Sequence, residues 1–365
     1  MSVLIFFIIL SMLVIVHELG HFLVARYFGI RVDEFGLGYP PKARHLFRWQ
    51  GTNFTLNWLP FGGFVKIYGE DYDLSQPSPS LGEGGGEVNK PNDSFQNKNR
   101  AIQASVLAAG VFFNFLFAWL LISMGLISGL PAPVGLSFPV ENPQTVITTI
   151  LPNSPAAEAG LKSGDAIISI NNAPLSPEEA ALVIARSTGV LNFAVARGEN
   201  VTHKIVTPRE GIIAGQKAVG ISMELIGTAK LSFLQAIKEG GKIAWGLERA
   251  TAEALGIFIK QAVTGKANLA SVTGPVGLVG MVGDATELGW GYLLSFTALI
   301  SLNLSIINLL PFPALDGGRL LFVMIEAVSR RRIPAKIFNA VNAAGFAFLI
   351  FLMILVTLHD VRVIL

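Results

Sequence analysis

Residues 2–16, SVLIFFIILSMLVIV, hold no charged side chain, and apolar character resumes at Phe22–Ala25. A helix needs about 20 apolar residues to cross a hydrocarbon core. Three further stretches meet that need, at 101–129, about 289–311 and about 338–358. In lipid every backbone N–H and C=O must be paired within protein, so such stretches have to become spanning helices. The balance of 52% apolar to 14% charged residues over 365 positions is that of a membrane protein. A secretory signal peptide would need a basic start and a small-residue cleavage site. The first basic residue here is Arg26, and bulky residues surround residues 17–21.

Lysine and arginine sort the ends of the spans. Arg26, Arg31, Lys42, Arg44, Arg48, Lys98 and Arg100 lie between spans one and two, and Arg319, Arg330, Arg331, Arg332 and Lys336 between spans three and four. Both loops are expected on the cytoplasmic side, with 130–288 and both termini outside. A net charge of +2 gives no reason to expect nucleic acid. Residues 74–99, rich in Gly, Ser, Pro and Asn, read as a flexible linker.

The segment between spans two and three has a different texture. β-Branched runs at 145–150, 166–170, 191–196 and 201–206 predict strands. Ser176-Pro177 with Glu178 and Glu179 opens a helix over 177–187. SPAAEAGLKSGDAIISIN, residues 154–171, resembles bacterial PDZ domains, with Gly160 ending a short helix and Gly164-Asp165 turning into a strand. That resemblance implies a peptide-binding sheet edge near 218–225, since such domains take up peptide ends by strand addition. A domain that acts as a steric plug is the alternative. Residues 231–263 mix charge with apolar residues at helical spacing and predict an interfacial helix or helix pair, or a helix packed on the neighbouring domain.

The first span carries a costly interruption. Residues 14–24 read VIVHELGHFLV, placing His17, Glu18 and His21 in an apolar helix. Ionisable groups are expensive in a bilayer and mark function there. Residues four apart on a helix lie about 40° apart around its axis. His17 and His21 therefore share a face, where two imidazoles can hold one zinc ion, and Glu18 stands beside them as a general base. A metal-free pair of hydrogen-bonded histidines is the plainer reading. The chain has no cysteine, so a further ligand must be His, Asp or Glu. His45, His203 and His359 fall outside the spans, whereas Asp316 adjoins the third, in NLLPFPALDGGRLLF at 308–322. Pro311 and Pro313 break the helix there, which lets Asp316 project into a protein-lined cavity. Its alternative role is to cap the following helix. Span one and span three both run inward, so the histidines and Asp316 are expected at the same depth.

These pieces together resemble the site-2 protease family of intramembrane zinc metalloproteases, above all its bacterial regulator-of-sigma-E protease branch, here with one PDZ domain. The motifs that carry the resemblance are HELGH at 17–21, NLLPFPALDG at 308–317, the PDZ-like insertion and the four spans. It implies zinc held by His17, His21 and Asp316, with Glu18 as catalytic base. It also implies that Asn308 contacts the substrate backbone, with Asn303 as a weaker candidate and Pro311 and Pro313 beside them. NFTLNWLPFGGFVKIYGED, residues 53–71, resembles the family's membrane-re-entrant β-hairpin, at about 51–71, with Phe64 and Val65 as implied substrate contacts. Alternating apolar residues and a turn at Pro60, Gly62 and Gly63 fit a hairpin, and an ordinary cytoplasmic hairpin is the alternative. GPVGL at 274–278 matches a glycine-rich string of the family. Two departures stand out: Ala109-Gly110-Val111 precedes Asn114 where many members have Ala-Gly-Pro, and some close relatives carry two PDZ domains.

The expected architecture is a polytopic α-helical membrane protein with four transmembrane helices, a re-entrant β-hairpin and an inserted extracytoplasmic PDZ domain of α+β type. Residues 1–129 form the first half of the membrane core, 130–225 the PDZ domain, 226–287 an amphipathic helical connector and 288–365 the second half. The implied function is a zinc-dependent endopeptidase of the bacterial inner membrane. Its substrates would be transmembrane segments of single-span proteins, of the anti-sigma-factor or remnant-signal-peptide type. Its other partners would be the lipid bilayer and peptide C-termini at the PDZ domain. A non-catalytic PDZ-bearing scaffold is the alternative, against which Glu18 counts, because a scaffold needs no base. A metal transporter would show inverted repeats or polar residues along several spans, and neither is visible.

Overall fold

Each of the four apolar stretches is a single helix long enough to cross a membrane, so the chain is a multi-pass membrane protein. The structure, a computed structural model of the chain, describes residues 1–70, 93–198, 200–213, 216–266 and 273–364. The first span, α1 (Ser2–Tyr27), leads into two long strands, β1 (Val32–Trp49) and β2 (Thr52–Ile67), and then the second span, α2 (Arg100–Ser128). The middle of the chain runs β3 (Leu130–Pro133), β4 (Glu141–Ile150), α3 (Pro155–Glu158), β5 (Ala166–Ile170) and α4 (Pro177–Arg186). It continues through β6 (Leu191–Arg197), β7 (Asn200–Val206), β8 (Arg209–Ile213), β9 (Gln216–Ala218) and β10 (Ile221–Ala229). Helices α5 (Phe233–Val263) and α6 (Pro275–Leu288) precede the third span, α7 (Trp290–Leu309). Finally, α8 (Asp316–Ser329) is followed by α9 (Ala335–Ile364), which holds the fourth span. The chain divides into two units: residues 1–120, 242–281 and 297–365, and residues 121–241 and 282–296.

In the first unit, Phe22, Ala25, Ile30, Val32, Phe35, Ile67, Phe95, Val106 and Leu107 form one buried cluster joining α1, α2 and the strands. Phe346, Phe351 and Ile354 of α9 stay exposed, as suits a helix that faces lipid. The strands depart from the expected hairpin. The tight turn is Gln50-Gly51, both at positive φ, which suits a two-residue connection between antiparallel strands. Phe35 registers with both Phe54 and Val65, Gly36 with Thr55 and Phe64, and Leu37 with Leu56 and Gly63. Segments 53–56 and 63–66 therefore flank 34–37, and the chain reverses between them near Gly62, at φ +83°. The arms of the 53–71 stretch do not close on each other, because 32–37 lies between them. The cause is burial: Val32 and Phe35 belong to the core cluster, and a strand with core residues takes the inner position.

Of the expected linker, 74–92 lies outside the described residues. Its last part is ordered: Phe95–Asn97 form a 3-10 turn, and Phe95 is in the core. GPVGL begins α6. The backbone N–H groups of Gly274 and Gly277 donate to the Asp360 carboxylate at 3.1 and 2.8 Å, an anion at a helix N-terminus.

The second unit is built on a six-stranded sheet, in the order β3-β10-β4-β5-β6-β7. Its core comprises Ile147, Ile167, Ile170, Ala180, Ile184, Leu191, Phe193, Val195 and Val206, among others. α4 starts with a complete capping box between Ser176 and Glu179, and the Ser176 backbone N–H holds the Glu179 carboxyl below the usual range. Within 231–263 the chain forms one helix, Phe233–Val263, rather than a pair. β10 pairs with β4 along 221–228 but with β3 only along 226–229. The sheet edge anticipated at 218–225 therefore narrows to residues 221–224, with α4 packed against β9 and β10.

Arg197 binds Asp165 through Nε at 2.7 Å and Nη2 at 2.8 Å, and the carboxylate raises its pKa above the ordinary guanidinium value. The Asp165 side chain is 0% exposed. Removing one partner of a buried pair strands the other, at about 3 kcal/mol. Arg197→Ala is expected to destabilise this unit by that order, read as a lowered denaturation midpoint. A midpoint equal to that of the unaltered protein would show the pair to be dispensable.

Candidate metal centre

The centre is assembled from α1, α2 and the start of α8. His17 and His21 lie on one face of α1 and are each 7% exposed. Their ring centroids are 4.8 Å apart, and their Nε2 atoms 3.2 Å apart. α2 passes close across this face. A β-carbon on Gly20 would sit 2.6 Å from the Ala109 carbonyl oxygen, and one on Gly110 would sit 2.7 Å from His17 Nε2 and overlap His21 Nε2. Glycine at both positions is what allows the approach. α2 also orients the rings. His21 Nδ1 lies 2.8 Å from the Val106 carbonyl oxygen, and His17 Nδ1 lies 3.1 Å from the Asn114 side-chain amide.

Asp316 arrives from 299 residues further along the chain. α7 ends at Leu309, Ala314 adopts φ +73°, and extended Leu315 is the N-cap of α8, without a side-chain cap bond. Asp316 is the first residue of that helix, so it does not take the capping role. Its Oδ2 lies 2.9 Å from His17 Nε2 and 3.3 Å from His21 Nε2. A β-carbon on Gly317 would overlap the Leu309 and Leu310 carbonyl oxygens. This glycine lets the start of α8 tuck under the end of α7.

Three ligand atoms thus converge, from His17, His21 and Asp316. Tetrahedral zinc with bonds of about 2.0 Å has ligand–ligand edges of about 3.3 Å. The observed separations are 2.9, 3.2 and 3.3 Å. Two imidazoles and a carboxylate also leave a fourth position open, as in catalytic zinc sites. The residues present fit the ion.

Glu18 faces the strands. The Val65 backbone N–H is hydrogen-bonded to its carboxylate, and its charge interacts with His21 and Asp316. A β-carbon on Gly63 would lie 3.8 Å from Glu18 Cγ. Arg319, one turn beyond Asp316, pairs with Glu70 just past β2, tying the strands to α8. Of the residues implicated as substrate contacts, Val65 therefore touches the centre directly, and Phe64 lies over Gly36. Asn303 and Asn308 sit on α7, partly buried, and among the described residues no hydrogen bond joins either to His17, His21 or Asp316. Pro311 is exposed. Pro313 packs on Gly345 of α9, where a β-carbon would lie 2.5 Å from its Cβ. Sequence reasoning missed Val106 altogether, and it met Gly110 and Asn114 only as a family string with no role in the site. Their common spacing of four, which puts them on one stripe of α2, is a further signal.

Fold and site together define a multi-pass membrane protein with a donor set of two buried histidines and one partly buried carboxylate, and an adjacent glutamate. The model of peptidase family M50 matches residues 5–352. A candidate zinc metalloprotease of Clostridium perfringens is 37% identical over 96% of both chains. The zinc metalloprotease RasP of Geobacillus kaustophilus and the regulator of sigma-W protease RasP of Bacillus subtilis are each 30% identical over 99% of this chain and 98% of theirs. The chain belongs to peptidase family M50, the site-2 protease family of zinc metalloproteases.

Gly110→Val would force α2 away from both imidazoles. The purified variant is expected to lose most of the roughly one zinc per chain that a single site binds, as read by elemental analysis. Full zinc content in that variant would contradict the described approach of the helices.

Proposed function

We propose that the protein is an intramembrane endopeptidase whose zinc is held by His17, His21 and Asp316, with Glu18 as catalytic base. The observation that carries this is the convergence of the three ligand atoms at 2.9–3.3 Å, beside Glu18, on helices long and apolar enough to cross a membrane. Bound zinc supplies a Lewis acid that polarises a peptide carbonyl and makes water acidic enough to react near neutral pH. Glu18 takes the proton of the attacking water and passes it to the leaving amine. The Val65 N–H holds the Glu18 carboxylate in place between these steps.

A helical peptide bond is shielded by its own hydrogen bonds, so the segment to be cut has to unwind. The strand at 63–67 supports a way to hold it: that strand has its ladder partner on one side, in 34–37, and an extended segment can add to the other side. Exposed Phe47, Trp49, Leu56, Trp58 and Leu59 support placing these strands in the membrane as a re-entrant element. In this reading Phe64 and Val65 lie along the substrate strand, and Asn308, with Asn303 behind it, steadies the substrate backbone near the Pro311–Pro313 turn.

Residues 130–225, with their sheet continuing to 229, are read as a PDZ domain outside a bacterial inner membrane. The 221–224 edge beside α4 is a place for a peptide C-terminus to add. The domain would turn away substrates that still carry a large outer portion, so that an earlier cut must precede this one. Single-span proteins of the anti-sigma-factor or remnant-signal-peptide type are the proposed substrates. The name of the Bacillus subtilis relative, a regulator of sigma-W protease, supports the first of these.

The test is cleavage of a tagged single-span reporter, truncated on its outer side. Glu18→Gln is expected to retain zinc and to lose cleavage by at least about 100-fold, the lower range for a general base. Cleavage by that variant at the unaltered rate would remove Glu18 from the mechanism.

A further inference from the structure

A neutral imidazole has one N–H and one bare nitrogen. A histidine that gives Nε2 to a metal carries its hydrogen on Nδ1, and that hydrogen needs an acceptor. His21 satisfies this with the Val106 carbonyl oxygen at 2.8 Å, a group that can only accept. His17 does not as placed. Its Nδ1 faces the Asn114 amide nitrogen at 3.1 Å, a donor, while the Asn114 amide oxygen is buried with no hydrogen-bond partner among the described residues. That arrangement would make Nδ1 the bare nitrogen and put the hydrogen on Nε2, the atom aimed at Asp316 and His21.

The two ends of an asparagine amide have the same shape, and their assignment follows from the surrounding hydrogen bonds. Asn114 is fully buried. Its backbone carbonyl accepts the Ser301 hydroxyl of α7 at 2.8 Å, so the residue is fixed and only the amide is free to turn. We propose that Asn114 is a positioning residue of the metal centre, its amide oxygen accepting the Nδ1–H of His17 and leaving Nε2 bare for zinc. Val106, Gly110 and Asn114 then act as one stripe of α2: a carbonyl for one ring, clearance for both and an amide oxygen for the other. This rests on His17 being a zinc ligand.

The experiment measures zinc affinity of the full-length protein in detergent, by competition with a chromogenic chelator, for the unaltered chain, Asn114→Asp, Asn114→Leu and His17→Ala. Aspartate offers oxygens alone, so Asn114→Asp is expected to bind zinc within about threefold of the unaltered chain, and Asn114→Leu about 10–100-fold more weakly. Rescue by aspartate is not what a packing role would give, since leucine fills the space better than a charge does. Equal affinity for the leucine variant, or a folded aspartate variant as weak as leucine should be, would overturn the proposal. If the leucine variant does not fold, the aspartate variant decides. Full affinity in His17→Ala would instead bring down the ligand assignment beneath it.

Discussion

Placing ionisable side chains in a helix that crosses a bilayer is costly unless they meet one another or a metal. His17 and His21 carry that cost on α1, and Asp316, from near the other end of the chain, meets it. The rest of the first unit is arranged so that this meeting occurs. α2 lies against the histidines with glycine where any side chain would collide. α7 stops at Leu309, and α8 restarts at Asp316 with Gly317 tucked beneath the carbonyls of the helix before it. β2 brings a backbone N–H to Glu18, and its far end is tied to α8 through Glu70 and Arg319.

The polar contacts form a relay across three helices. Ser301 and Ser305 of α7, four residues apart, donate to the Asn114 and Val111 carbonyl oxygens of α2. α2 in turn contacts both histidine rings through Val106 and Asn114. Ser305 also reaches Glu248 of α5 at 2.9 Å, and Trp245 of the same helix meets Phe115 edge-on. Helices that gain little from burying apolar surface against apolar lipid are held by small residues and hydrogen bonds instead, and this bundle uses both.

Much of this was legible in the sequence, because period and composition report local structure directly. The four spans, the strand at 166–170 and the helix from Pro177 follow from uncharged length, β-branched runs and a capping pattern. The convergence on Asp316 was legible for a different reason: in lipid, an acid beside a span end is rare enough to be noticed. What the sequence hid is non-local. The insertion of 34–37 between two arms of β2 depends on a partner choice that alternation in 53–71 cannot reveal. β10 is an inner strand for half its length, because short β3, with prolines at two of its four positions, pairs with only four of its residues. Val106 contributes a backbone carbonyl, which no residue type announces.

X-ray absorption at the zinc edge of the purified protein, with Asp316→Ala measured alongside, shows whether two imidazoles and one carboxylate of this chain hold a single zinc. The expected result is a shell of nitrogen and oxygen at about 2.0 Å, with outer-shell scattering from two imidazoles, and a loss of bound zinc on replacing Asp316. Scattering from fewer than two imidazoles, or an unchanged zinc shell in Asp316→Ala, would contradict it.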